Sequence, residues 1–321
     1  MHALVTGANG FVGRALARRL AADARLGHAP IERLSLLDLG FDEPPVESFV
    51  RHLAGDMGDA AWLRRSLAEA PIDAIFHLAS IPGGMAEQQY ELARRVNLDA
   101  TTVLLESGKA QVEAGGRAPV FVFASSIAVF GTMPALVADE TLPRPLMTYG
   151  AQKLIGETLV ADFSRRGWVN GVSLRLPGVL ARPPARTGQL SAFMSDIIRE
   201  LAAGRPFTCP TSPKATTWAS SLPCVVDNLV HAATAPVVLP QVRRTLTLPT
   251  LRFSMEELID AIAAVHGTNV KTLVRFEPNE RIEALFGRFP PLETTAAHGA
   301  GFVHDLSLVN LVRRAHPIRT I

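Results

Sequence analysis

The chain has 321 residues, of which 48% are hydrophobic and 19% charged, the balance of a folded globular protein rather than a disordered one. A formal net charge of +2 gives no strong pull toward nucleic acid or an anionic membrane, and no apolar run reaches the length of about 20 residues that a membrane-spanning helix needs. Two cysteines, Cys209 and Cys224, form neither a zinc pattern nor a disulfide framework, so a cytoplasmic protein with free thiols is expected.

Short apolar runs alternate with helical patterns through the first half. The strands read "ALVT" (3–6), "RLSLLD" (33–38), "AIFHLA" (74–79), "VFVFAS" (120–125) and "VSLRLP" (172–177). Helices are expected over 11–23, 59–69, 86–114 and 150–167. The first strand opens almost at once, which leaves no secretory leader to expect. Strands separated by helices mean βαβ units, hence an α/β protein with a doubly wound parallel sheet covered on both faces. After 177 the pattern loosens. "LARPPARTG" (180–188) reads as a loop, 190–204 as a helix, and "TCPTSPKATTWASSLP" (208–223) as irregular. "SMEELIDAIAAVHG" then opens with a helix-capping signature. The expected division is a nucleotide-binding domain over 1–178 and 222–250, with a smaller substrate lobe over 179–221 and 251–321.

"VTGANGFVG" places Gly7, Gly10 and Gly13 after the first strand and at the mouth of a helix. Glycines there allow a tight turn, let backbone N–H groups approach a pyrophosphate, and let helix and strand pack closely. The next strand ends in Asp38, whose carboxylate can accept from the adenosine-ribose hydroxyls and repels a 2′-phosphate. That favours NAD, with NADP as the weaker alternative. In "AGDMGD", Asp56 and Met57 stand where a carboxylate and an apolar side chain could hold an adenine.

Tyr149 and Lys153 lie one turn apart in "YGAQK" at the start of a helix, and so share a face. A free tyrosine has a pKa near 10 and is a poor base at neutral pH. A neighbouring ammonium and an oxidised nicotinamide both favour its phenolate, so Tyr149 could take the proton of a substrate alcohol while hydride leaves its carbon. Ser126, at the end of the preceding strand, would hydrogen-bond the same oxygen. Lys153 would also grip the nicotinamide ribose.

Together "TGANGFVG", "FHLAS", "NLDAT", "SSIAVFG" and "YGAQK" closely resemble the motifs of the extended short-chain dehydrogenase/reductase family, in its epimerase/dehydratase branch. The resemblance implies a Rossmann-like domain that binds NAD, a C-terminal substrate lobe, and Ser126, Tyr149 and Lys153 as catalytic residues. Around the cofactor it implies Gly7, Asn9, Gly10, Phe11, Val12, Gly13, Asp38, Asp56, Met57, Leu78, Ala79, Ser80, Asn97, Tyr149, Lys153, Pro177 and Val179. A homodimer built through the helices near 86–114 and 150–167 is implied as well.

Within the family, nucleotide-sugar enzymes usually carry an arginine ahead of the segment that here reads "CVVDNLVHA", where this chain has Ser221. Phe130 and "SLRLPGVLARP" resemble the threonine dehydrogenase side, although Leu176 departs from the tyrosine found there. The resemblance of the chain as a whole to this family's sugar-acid dehydrogenases implies a small sugar acid of four carbons, oxidised at its C2 hydroxyl. Its carboxylate needs a cation, best a guanidinium. Arg144, Arg182 and Arg186 are the candidates. Ser80, Ser126 and Tyr149 face the substrate, while Gly83–Gly84, Thr216, Thr217 and Trp218 could bond hydroxyls. Arg175, inside a strand, is expected to make a structural ion pair. His298 and His304 are expected at the surface or in the core. A sugar-nucleotide 4-epimerase, a threonine dehydrogenase-like enzyme and a non-enzymatic NAD sensor are the rival readings.

Overall fold

The structure, a computed structural model, describes residues 1–183, 190–235 and 244–315. The chain divides into two units, one of Met1–Thr132, Leu142–Leu176 and Val226–Thr247, the other of Met133–Thr141, Pro177–Val225 and the chain from Leu248 onward.

The first unit is built on a seven-stranded sheet, all of it parallel. Its strands are β1 (His2–Thr6), β2 (Arg33–Asp38), β3 (Val50–Ala54), β4 (Ala74–His77), β5 (Val120–Ser126), β6 (Asn170–Leu176) and β7 (Thr245–Thr247). They lie in the order β7-β6-β5-β4-β1-β2-β3. The order reverses beside β1, the feature that opens a ligand crevice at the carboxyl ends of a doubly wound sheet. The central register runs Val5 beside Phe76, Phe76 beside Val122 and Val122 beside Val172. Burial on both faces explains why these strands read as continuous apolar runs.

Helices α1 (Phe11–Asp23) and α2 (Ala60–Leu67) follow their strands closely, whereas α3 (Ala100–Glu113) and α4 (Thr148–Arg165) follow β4 and β5 after longer connections. One core joins Leu4, Ile75, Phe121 and Phe123 of the sheet to Leu63, Leu104, Leu105 and Val160 of the helices. The single helix expected over 86–114 is instead broken. Gly83–Gln88 and Tyr90–Arg94 are separate helical turns, and Arg95–Asp99 is a π-helical turn leading into α3. Strand β3 was not expected from the sequence.

The second unit holds helices Phe193–Ala202, Met255–His266 and Leu308–Ala315 around a core that includes Phe193, Ile197, Ile198, Leu258, Ile262 and Leu311. The expected cap of Met255–His266 is present as a capping box. Ser254 Oγ accepts from Glu257 N at 3.2 Å, and Glu257 Oε2 accepts from Ser254 N at 2.7 Å. The stretch read as irregular contains two strands, Phe207–Cys209 and Thr216–Ser221. The second pairs antiparallel with Leu251–Ser254 and parallel with Gly178–Leu180. Among the described residues no helix is long and apolar enough to cross a membrane.

Candidate active site

The turn after β1 carries the phosphate end. Gly7 has a φ of +67°, and a Cβ there would lie 2.7 Å from Ala79 N. A Cβ on Gly13 would lie 1.9 Å from the Gly7 carbonyl oxygen, so only glycine lets α1 seat this closely. Helix α1 opens on Gly10 with no side-chain cap, which leaves its positive end to be met by a ligand's phosphates. The cradle therefore fits a dinucleotide.

Asp38 Oδ2 accepts from Asn9 N at 2.8 Å, fastening the glycine turn to the end of β2, and its Oδ1 accepts from Leu39 N at 2.8 Å. Asp56 Oδ1 accepts from Gly58 N at 2.7 Å, and Met57 is buried beside it in the sheet–helix core. Leu78, Ala79 and Ser80 follow β4. The amides of Leu78 and Ala79 both point at Thr6 Oγ1, at 3.2 and 3.3 Å. Asn97, on the π-helical turn, is buried. Its Oδ1 accepts from Ile81 N at 2.8 Å, while Nδ2 donates to Ile81 O at 3.0 Å and to Gln152 Oε1 at 2.7 Å. A π-turn that re-aims one side chain onto the loop beside it is a common mark of a functional site.

Ser126 closes β5 and caps the short turn Ile127–Phe130, its Oγ accepting from Ala128 N at 3.1 Å. The hydroxyl proton is still available to donate. Tyr149 stands at the second position of α4 and Lys153 one turn on, its Nζ 5.6 Å from the Tyr149 ring centre. Lys153 is buried and donates from Nζ to Ala124 O at 2.7 Å, so α4 is tied to the strand that carries Ser126. Burial pushes the Lys153 ammonium down to about 7, and the Glu157 carboxylate one turn further opposes that shift.

Sequence reasoning missed the polar group beneath this site. Glu157 is buried, accepting from Ser125 Oγ at 2.5 Å and from Arg175 at 2.9 and 2.8 Å. The ion pair expected of Arg175 is thus present. Its partner Glu157 lies one turn beyond Lys153 on the helix face that carries Tyr149 and Lys153, a periodicity that names Glu157 in retrospect. His77 is equally buried, held between Thr6 Oγ1 at 2.7 Å and Thr101 Oγ1 at 2.8 Å. Burial, and then the charge of Lys153, push the imidazole down to about 3 and keep it neutral.

The substrate candidates separate. Ser80 and Ser126 are half-buried and Arg144 is exposed in the first unit, while Pro177, Val179 and Arg182 belong to the second. Arg182 is half-buried, and its carbonyl accepts from Arg199 at 3.1 Å. Arg186 lies outside the described residues. Thr216, Thr217 and Trp218 turn out to be committed within their own unit. They donate to Phe289 O at 2.8 Å, Met194 Sδ at 3.4 Å and Pro290 O at 2.7 Å. His298 bonds Thr294 and meets the His304 ring edge-on at 5.8 Å. Ser221 is fully buried, with its N and Oγ on the Asp305 carboxylate at 2.8 and 2.5 Å.

A parallel doubly wound sheet with a glycine turn at its switch point defines a dinucleotide-binding enzyme, here an NAD-dependent oxidoreductase acting on CH–OH groups. The model of the NAD dependent epimerase/dehydratase family matches residues 3–217, and the chain belongs to that family. It is 36% identical to D-erythronate dehydrogenase of Cupriavidus necator, over 98% of this chain and 97% of that one. To D-erythronate dehydrogenase of Haemophilus influenzae it is 31% identical over 98% of both. Among solved structures, one described as the nucleoside-diphosphate-sugar epimerase from Agrobacterium tumefaciens superposes with a TM-score of 0.90 at 36% identity, covering 97% of this chain and 92% of that one. An L-threonine dehydrogenase from Cupriavidus necator shares the fold, with a TM-score of 0.83 at 22% identity over 98% of each chain.

Proposed function

We propose that the protein oxidises the C2 hydroxyl of D-erythronate to the 2-keto acid, 2-dehydro-D-erythronate. The observation that carries this reading is the end-to-end likeness to two D-erythronate dehydrogenases at 36% and 31% identity. Curated UDP-sugar 4-epimerases match at 25–28% over only 51–62% of the chain.

NAD, when bound, supplies the acceptor for the hydride leaving C2. Tyr149 is the general base and takes the hydroxyl proton. Lys153 lowers the cost of the phenolate through its positive charge and holds the nicotinamide ribose. Ser126 donates to the oxygen that loses its proton and fixes the alcohol in line with Tyr149. Gly7, Gly10 and Gly13 with the start of α1 hold the pyrophosphate, Asp38 the adenosine ribose, and Asp56 and Met57 the adenine. Asn97 shapes the loop Leu78–Ser80 that borders the nicotinamide. Arg144 or Arg182 meets the substrate carboxylate. The enzyme works in the cytoplasm as a homodimer.

A second reading, a sugar-nucleotide epimerase, is favoured by the description of the Agrobacterium structure. It predicts NAD that stays bound through turnover and no sustained NADH signal. Absorbance of NADH with NAD and D-erythronate, L-threonate, D-threonate, L-threonine or UDP-galactose separates the two. Sustained NADH with D-erythronate alone is expected, whereas silence on every acid with conversion of UDP-galactose would replace the proposal by the second reading. Tyr149→Phe should reduce turnover below a few per cent while leaving NAD binding nearly intact. Retained activity would remove Tyr149 as the base.

A further inference from the structure

The adenosine end contains a cation whose place the NAD reading leaves unexplained. Arg14, on the first turn of α1, donates from Nη2 to Asn9 Oδ1 and to Asp42 Oδ2 at 3.2 Å. Asn9 is bonded on its other side to Asp38, through its backbone N–H. The guanidinium therefore stands one residue away from the carboxylate expected to hold the ribose 2′-hydroxyl. The loop that brings Asp42 there is itself built. Asn9 Nδ2 donates to Gly40 O at 3.0 Å, and Phe41 stacks on His52 of β3 at 3.9 Å between ring centres.

A phosphate on the 2′ oxygen would enter beside Asp38 and meet two carboxylates and one guanidinium. The local sum is one negative charge, which repels a phosphate monoester. Asp38 alone does not set that sum, because Asp42 neutralises Arg14. We propose that Asp42 is a second determinant of cofactor choice, and that Arg14 is a 2′-phosphate ligand held out of use by Asp42. A planar guanidinium offers the paired donors a phosphate accepts best.

This inference rests on Asp38 facing the adenosine ribose, and the test separates the two claims. NAD⁺ and NADP⁺ would be titrated calorimetrically into the wild-type protein, Asp38→Asn, Asp42→Asn, the double variant, and the double variant with Arg14→Gln. Asp38→Asn keeps an oxygen for the Asn9 amide, so the glycine turn retains its tether. Weaker NAD⁺ binding by Asp38→Asn is expected, and an unchanged affinity would overturn the placement of Asp38. The double variant should bind NADP⁺ at least tenfold more tightly than Asp38→Asn, and Arg14→Gln should remove that gain. Equal NADP⁺ affinity for Asp38→Asn and the double variant would overturn the role of Asp42. A gain that survives Arg14→Gln would overturn that of Arg14. The gain should also shrink as salt is raised, as an exposed ion contact requires.

Discussion

Replacing Glu157 by glutamine tests how much the fold depends on the charged group under the active site. In the wild-type protein the carboxylate takes two bonds from Arg175 and one from Ser125, and both members of the ion pair are buried. Glutamine keeps the shape but leaves the Arg175 guanidinium without a counter-charge. Removing one partner of such a pair costs about 3–5 kcal/mol, because a charge is left buried and uncompensated. At about 2–4 °C per kcal/mol, even the lower figure drops the melting temperature by about 6–12 °C. Arg175→Met alone should cost a similar amount, while Glu157→Gln with Arg175→Met should recover most of the loss, since no unpaired charge remains. Urea unfolding of the four proteins gives the coupling energy directly. A loss below about 1 kcal/mol for the single variant, or losses that simply add in the double, would refute the reasoning.

Other consequences are as direct. Lys153 holds its proton less tightly folded than unfolded, so above about pH 7 the native state sheds it first and stability rises with pH until the unfolded chain also deprotonates near 10.5. The slope from this one group is at most about 1.4 kcal/mol per pH unit, and Lys153→Met should remove it, as urea unfolding at pH 7 and pH 9 would show. Gly13→Ala should lose NAD binding and about 1–3 kcal/mol of stability, because its Cβ meets the Gly7 carbonyl. Gly84→Ala, where no atom lies within 4 Å of the new Cβ, should instead leave the melting temperature unchanged or raise it.

What the sequence shows and hides follows from where each interaction is satisfied. The central strands are visible because burial on both faces demands apolar runs, and the glycine turn because its spacing is local. Strand β3, "VRHLA", is hidden because it is the outermost strand next to β2. Its Arg51 is exposed and its His52 half-exposed, so no apolar run marks it. "TTWASS" looks like a loop because threonine and serine favour turns. Here Thr217, Ser220 and Ser221 are buried, and their hydroxyls are satisfied by Met194, Thr250 and Asp305, partners no local pattern reveals. The break in the helix before α3 is hidden for a related reason. A π-turn has no composition of its own: the sequence offers Asn97 as a site residue within one continuous helix, while its bonds to Ile81 and Gln152 emerge only in the fold.

Ser221 shows how a residue that is absent from a pattern acquires physical content. From the sequence alone, a serine where nucleotide-sugar enzymes usually carry arginine is only a departure. In the fold it is a buried joint. Both its amide and its hydroxyl are taken by Asp305, whose carboxylate also lies 3.5 Å from Arg314. Restoring an arginine would place a second guanidinium in a fully buried position whose carboxylate is already engaged, a change that costs desolvation without a free counter-charge. The second unit thus commits this position to Asp305. That commitment weighs against recognition of a diphosphate from here. The proposed sugar-acid substrate instead asks for a guanidinium on its carboxylate, the role proposed above for Arg144 or Arg182.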